Sequence, residues 1–352
     1  MKALVLSGGK GTRLRPLTFT CAKQLIPVAN KPILGYVLDQ VAATTIKKVG
    51  VITAHETSHF VEEYVGDGAA WNLNVSYITQ EPLGLAHAVK TAKKYLNKDS
   101  FIMCLGDNVT GQGLTSFIKK FKNEHLDALI ILKEVDNPSA FGIAQLDTKG
   151  NITKLVEKPK TPTGNLAIIG TYIFSNKIHQ AIERIKPSWR GELEITDAIQ
   201  EMINMGFSVK AEILNSWWLD TGKKDDILSA NARILDEYIQ HDVKTTTTNS
   251  TIDGRVKIEA NTKITNSTIR GPCIIGKGVI VENSFIGPYT SVGNNTQIYN
   301  SNIEYCVIQD CVKIQDIERL EDSLIGKNAK LTRNQKNRTL KLHVGDYSEL
   351  EV

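Results

Sequence analysis

The sequence predicts an α/β protein in two parts, a Rossmann-like layered domain built on a parallel sheet and then a β-solenoid. Up to about residue 240, short β-branched runs alternate with helix-like stretches, which is the pattern of βαβ units. Beyond it the helical period disappears and Ile or Val recurs every six residues, a β-helix period. The length of 352 residues exceeds the usual single domain and points to about two.

In chain order, KALVLS (2–7), KVGVIT (48–53), SFIMCLGD (100–107) and DALIIL (127–132) read as strands. ILGYVLDQVAATTI (33–46) and GLAHAVKTAKKYL (84–96) read as the covering helices. DDILSANARILDEYIQ (225–240), closed by the threonine run Thr245 to Thr248, reads as a helical connector. The six-residue series then run Ile252, Ile258, Ile264; Ile269, Ile275, Val281; Ile280, Ile286, Val292, Ile298; Ile308, Ile314; and Ile325, Leu331. Glycines follow several of these, Gly276, Gly287, Gly293 and Gly326, where a corner between short strands is expected to need a positive φ. Residues 251–331 then make about four to five coils. The domains are expected at 1–240 and 241–335, with a polar C-terminal tail at 336–352.

Composition excludes several classes. With 41% hydrophobic and 23% charged residues the chain has the balance of a packed globular protein. A net charge of +4, spread in short groups such as Lys119, Lys120 and Lys122, gives no basic block for nucleic acid. No apolar run reaches the ~20 residues of a membrane span, and residues 1–30 lack a signal peptide's apolar region, so a cytoplasmic location is expected. The five cysteines form no CxxC pair and have no histidines at zinc spacing, so they read as buried or surface thiols.

The stretch LSGGKGTRLRPLT (6–18) follows the first apolar run. It matches neither GxxxxGK[ST] nor GxGxxG, because Gly9, Gly11 and Leu14 satisfy neither spacing. What remains is a loop of bare backbone at Gly8, Gly9 and Gly11, able to approach an anion closely, with Arg13 and Arg15 supplying positive charge. The same glycines also suit a plain strand-to-helix turn.

GGKGTRLRPLTFTCAKQLIPVANKP (8–32) resembles the signature of the sugar-phosphate nucleotidyltransferases, close to GGxGTRLxPLTxxxxKxLxPVxxKP. The resemblance continues in order through QEPLGLAHAV (80–89), LGDN (105–108), FGIA (141–144), VEKP (156–159), RGELEITDAI (190–199) and WWLDTGK (217–223). It covers essentially residues 1–235, and within the family the chain is most similar to the long glucose-1-phosphate thymidylyltransferases that carry a C-terminal left-handed β-helix. The resemblance implies a mixed, mainly parallel sheet. It also implies conversion of dTTP and α-D-glucose 1-phosphate to dTDP-glucose and pyrophosphate, with the UTP-dependent reaction as the alternative.

Such a reaction needs a sugar-phosphate oxygen to attack the α-phosphorus in line with the departing pyrophosphate, so cations must hold several anions together. Gly8, Gly9, Gly11 and Thr12 are expected to cradle the nucleotide, with Arg13 stabilising charge on the leaving pyrophosphate. By resemblance, Lys23 reaches the reacting phosphates from the other side, and Lys158 grips the sugar phosphate with Arg190 beside it. Asp107 and Asp220 are implied as the Mg²⁺ ligands, hard oxygens for a hard cation. No base is needed, because a sugar phosphate is already ionised near neutral pH. Gln80 is implied to read the pyrimidine edge, and Gly84 to let backbone approach the base. Gly142, Glu157 and the neighbourhood of Tyr172 are implied to hold the glucosyl ring. Arg15 keeps the reading of a surface charge.

The solenoid raises a second function, since some β-helices of this kind are acyltransferases. Those need a histidine base, and residues 250–335 contain none. An assembly or regulatory role is expected instead, packing protomers into a homo-oligomer.

Overall fold

The computed structural model describes residues 1–9 and 11–333. The expected tail at 336–352 lies outside the described residues. The chain packs as two compact units. Among the described residues the second takes Gly11–Thr20, Ile26–Pro32 and 221–333, and the first takes the rest up to Asp220.

Before the solenoid the strands are β1 (Lys2–Ser7), β2 (Pro27–Val28), β3 (Lys31–Pro32), β4 (Lys48–Thr53), β5 (Asn74–Thr79), β6 (Phe101–Leu105), β7 (Asn108–Thr110), β8 (Ala128–Glu134), β9 (Gly142–Leu146), β10 (Ile152–Glu157), β11 (Leu166–Phe174), β12 (Val209–Ile213) and β13 (Trp218–Asp220). The large sheet of the first unit runs β10-β9-β11-β6-β1-β4-β5, with β8 pairing β11 and β12 pairing β8. It is mixed: β6, β1, β4 and β5 are parallel, whereas β11 is antiparallel to both β6 and β8. β1 is buried along its length from Ala3, without alternation, because both faces of a parallel sheet are covered. Leu4, Phe101, Met103, Ile130 and Phe174 share one core with Ala88 and Val89 of the helix Leu85–Thr91, and with Ile195, Ile199 and Met202 of the helix Ile195–Asn204.

The order of the parallel strands positions the site. β1 has β4 on one side and β6 on the other, so the chain reverses its direction of travel between β1 and β6. In an open α/β sheet a ligand crevice forms outside the carboxyl ends of the strands at such a point. Gly8 and Gly9 follow β1, and Asp107 follows β6.

The second unit contains the β-helix, whose short parallel strands form two six-stranded faces and one four-stranded face. It corrects the sequence reading in four respects. Strands begin at Asp242 rather than 251, and Thr247–Thr248 of the threonine run pairs with Ile264–Thr265 inside the first coil. Equivalent corner residues are 17 apart, as in Asn249 to Asn266 to Asn283, with one step of 16. The six-residue spacing therefore resets by five once per turn. Val281, not Ile280, points inward, aligned with Ile264 and Ile298. Finally, the corners at positive φ are held chiefly by Asn, such as Asn261, Asn295 and Asn328, while Gly276, Gly287, Gly293 and Gly326 are not among them. At Gly293 the constraint is space, since a Cβ there would lie 2.5 Å from the carbonyl carbon of Gln309 on the next coil.

No disulfide joins any of the five cysteines. Among the described residues no helix is long and apolar enough to cross a membrane.

Candidate active site

Gly8 and Gly9 leave β1 into open space beside two glutamines. A Cβ on Gly8 would sit 3.8 Å from Nε2 of Gln80, and one on Gly9 3.6 Å from Nε2 of Gln24. Neither contact is a clash, so the missing side chains leave room that a ligand can use. Ser7 Oγ, Gln24 Oε1 and Gln80 Oε1 are buried here without a hydrogen-bond partner among the described residues. Leaving such atoms unpaired costs ~1–3 kcal/mol each, a cost that a bound polar group removes. Gln80 is held by its own N–H, which donates to the Thr53 carbonyl at 2.9 Å. Gly84 lies close against Leu193. A Cβ there would lie 2.4 Å from the Leu193 carbonyl oxygen, so its missing side chain and φ of 104° seat the turn against the RGELEITDAI segment.

The β6 end carries the acidic pair. β7 and β13 are antiparallel, with Asn108 opposite Asp220. The Asn108 amide donates to Asp107 Oδ1 at 2.8 Å and reaches Asp220 Oδ1 at 3.5 Å, which brings the two carboxylates together. Lys23, only 9% exposed, pairs with the other oxygen of Asp107. The Trp218 indole N–H donates to Asn108 Oδ1 at 2.7 Å and fixes which way the amide points. Among the described residues no group of three or more His, Cys, Asp or Glu is arranged around a metal. The two adjacent carboxylates are nevertheless the hard oxygen set that suits a divalent cation whose remaining positions come from water and phosphate.

A third cluster surrounds Glu157. It faces Gly142 across β10 and β9, and a Cβ on Gly142 would lie 2.9 Å from Glu157 Oε2. Thr196 Oγ1 donates to the same oxygen at 3.3 Å. Burial pushes the Glu157 carboxyl above its ordinary value, the Glu194 charge pushes it further, and Lys158, Arg190 and the Thr196 bond oppose both. Tyr172 is buried nearby, and its hydroxyl is driven upward by burial and then by the Glu157 charge. Arg190 lies among three carboxylates, 3.7 Å from Glu157, 2.7 Å from Glu192 and 3.4 Å from Glu194. Its charge is therefore shared with acids before any phosphate arrives. Lys158 is exposed, 4.0 Å from Glu157, and holds an unusual φ of 40°. The Phe141 ring, one residue before Gly142, packs edge-on to Trp218 at 5.2 Å, linking this cluster to the acidic pair.

Gly11, Thr12 and Arg13 belong to the second unit. Gly11, at φ 61°, heads a single 3₁₀ turn Thr12–Leu14, anchored by buried Leu14 and presenting exposed Thr12 and Arg13. Arg15 packs over the Phe19 ring at 4.9 Å, in keeping with a structural charge. The sequence reading missed Gln24, Asn108, Trp218 and Glu194. Each stands inside a motif already recognised, so membership of the 8–32 signature, LGDN, WWLDTGK or RGELEITDAI was the available signal.

The family model described as nucleotidyl transferase matches residues 2–237. The low-salt glycan biosynthesis nucleotidyltransferase Agl11 of Haloferax volcanii is 47% identical over 334 residues, 94% of each chain. A glucose-1-phosphate thymidylyltransferase of Streptomyces antibioticus is 43% identical over 355 residues, 100% of this chain and 99% of that one. A Bacillus anthracis crystal structure assigned as a glucose-1-phosphate thymidylyltransferase, in complex with a sucrose, superposes with a TM-score of 0.63 at 31% identity, covering 66% of this chain and 94% of that one. The chain belongs to the nucleotidyl transferase family.

Proposed function

We propose that the enzyme transfers a thymidylyl group from dTTP to α-D-glucose 1-phosphate, releasing pyrophosphate and dTDP-glucose. The observation that carries this is the pairing of Lys23 with Asp107 beside Asp220, at the carboxyl ends of β1 and β6 next to a side-chain-free glycine loop. The wider reading, nucleotidyl transfer between a nucleotide and a sugar phosphate, is what the relatives have in common.

In the proposed reaction the bare backbone at Gly8 and Gly9 admits the phosphates, and Gln80 offers its free Oε1 to an imide N–H of the base. Asp107 and Asp220 would hold Mg²⁺, which supplies Lewis-acid neutralisation of phosphate charge when bound. Lys23 holds a phosphate oxygen, and Arg13 takes up charge as pyrophosphate departs. Glu157, kept in place by Thr196, accepts from sugar hydroxyls against the Gly142 backbone, while Lys158 holds the sugar phosphate. No covalent intermediate and no general base is required, because the attacking oxygen is already anionic. We also place the reaction in the cytoplasm and the chain in a homo-oligomer assembled through the β-helix.

The test is pyrophosphate release with each nucleoside triphosphate against glucose, galactose and N-acetylglucosamine 1-phosphates. Highest kcat/KM with dTTP and glucose 1-phosphate supports the proposal. A higher value with UTP assigns the uridylyl reaction, since Gln80 reads thymine and uracil alike, and release with no pair at all overturns the reading.

A further inference from the structure

Two stretches of the signature, Gly11–Thr20 and Ile26–Pro32, pack in the same unit as the β-helix, although Cys21–Leu25 between them belongs to the other unit. The second stretch is a hairpin. β2 and β3 pair Val28 with Lys31, and the turn consists of Ala29 at φ 46° and Asn30 at φ 60°. Two successive positive φ values are what a two-residue type I′ turn demands, and Asn or Gly meets that demand at little cost whereas Ala does not. A strained conformation of this kind persists only where its surroundings hold it.

The holding group is Asn231, 1% exposed on the helix Lys224–Tyr238. Its Oδ1 accepts from the Ala29 N–H at 2.8 Å, and its Nδ2 donates to the Tyr289 carbonyl of the β-helix at 2.8 Å. A second tie lies beside it, because Asn30 Nδ2 donates to the Val292 carbonyl at 2.7 Å. The first stretch is seated further along the solenoid, where Leu17 Cδ2 lies 3.0 Å from the place a Cβ on Gly326 would occupy. Thr18 Oγ1 donates to the Gly11 carbonyl at 2.7 Å and closes the loop bearing Thr12 and Arg13.

We propose that the β-helix is the mount for the catalytic signature, and that Asn231 is a positioning residue of the transfer reaction, acting through the Ala29–Asn231–Tyr289 relay. The role in catalysis rests on the function proposed above. A truncated side chain at 231 takes the partner from a buried N–H and a partly buried carbonyl and releases a turn that is unfavourable on its own. Arg13, in the other stretch of the same unit, then sits on a less fixed support, and small misplacement of a charged group is felt in the transition state more than in substrate binding.

The experiment uses the full chain and compares wild type with Asn231→Ala and Asn231→Asp. Asp keeps the acceptor for Ala29 and loses the donor to Tyr289. Asn231→Ala is expected to lower kcat about tenfold or more per folded molecule while KM for both substrates stays within about threefold. Asn231→Asp, which keeps the Ala29 bond but sets a buried carboxylate against the Tyr289 carbonyl, is expected to recover only part of kcat. Amide hydrogen exchange should rise about tenfold in peptides covering residues 11–32, with β1 and β4 unchanged. Wild-type kcat in Asn231→Ala, or a loss explained wholly by unfolded protein, overturns the positioning role, and unchanged exchange at 11–32 overturns the mount. If wild type releases no pyrophosphate with any substrate pair, the proposed function and the catalytic role of Asn231 fail together, while exchange still decides the mount.

Discussion

Asn108 and Asp220 are register partners across β7 and β13, and the Asn108 amide that donates to Asp107 at 2.8 Å stands 3.5 Å from Asp220. An amide between two carboxylates offsets their repulsion and fixes their spacing. Asn108→Ala should therefore weaken metal-dependent turnover by about 10- to 100-fold while the fold is kept, as loss of a partner behind metal ligands typically does. Asp107→Asn and Asp220→Asn should be worse, by orders of magnitude, because a neutral amide is a poor ligand for Mg²⁺. Turnover titrated against Mg²⁺ checks this, and near wild-type rates at low Mg²⁺ in both Asp variants would defeat the assignment.

Lys23 is a buried cation paired with Asp107. Removing one member of a buried pair leaves the other uncompensated, at about 3–5 kcal/mol. Lys23→Ala should thus lower both stability and kcat, whereas exposed Arg13→Ala should lower kcat with little change in melting temperature. Lys158→Ala should chiefly raise KM for the sugar phosphate. An effect of Lys158→Ala confined to dTTP binding would mean the two substrates are exchanged.

Glu157 supplies a pH signature. Its carboxyl is raised, first by burial and then by Glu194, so the folded state keeps its proton to higher pH than the unfolded chain does. Below the unfolded value both states are protonated and there is no penalty. As pH rises from there through the raised folded value, wild type loses stability that Glu157→Gln retains. At pH 8 Glu157→Gln should melt no lower than wild type, with the difference vanishing toward pH 4, yet its KM for glucose 1-phosphate should rise by about tenfold through loss of a charged acceptor. Melting curves and KM across pH decide the matter, and a variant that is less stable at pH 8 than at pH 4 relative to wild type contradicts it.

Much of this was legible in the sequence because strands and motifs are local. β1, β4, β6 and β8 fall where the apolar runs place them, and Asp107 and Asp220 both lie within reach of the Asn108 amide. The mixed character of the sheet depends on β11, a nine-residue strand whose pairing partners are distant in sequence, and no local period announces that. Asn231 was invisible for a related reason. On a helix an Asn looks like an ordinary polar residue, and its partners Ala29 and Tyr289 lie 202 and 58 residues away. Arg190 was legible as a cation but not as one surrounded by Glu157, Glu192 and Glu194.

The glycines of the β-helix give a last prediction, in which two residues of one type should behave oppositely. Gly278 holds φ 66° at a corner where other coils place Asn261, Asn295, Cys311 and Asn328 at φ 62°, 56°, 59° and 62°. Asn tolerates that conformation, and the nearest obstacle to a Cβ at Gly278 is the Asn295 side-chain oxygen at 2.6 Å, which can rotate away. Replacing Gly also reduces the freedom of the unfolded chain, so Gly278→Asn should be neutral or stabilising by ~0.4–1 kcal/mol. Gly293 is not at positive φ, but its Cβ would meet backbone of the next coil, the Gln309 carbonyl carbon at 2.5 Å and the Asp310 nitrogen at 2.6 Å. Backbone within a hydrogen-bonded ladder cannot step aside cheaply, and Gly293 N–H donates to Ile308 across that same step at 2.8 Å. Gly293→Ala should then cost about 1–3 kcal/mol by overpacking. Thermal and denaturant unfolding of the two variants measures both effects, and equal destabilisation would mean that dihedral preference, not coil spacing, governs the glycines.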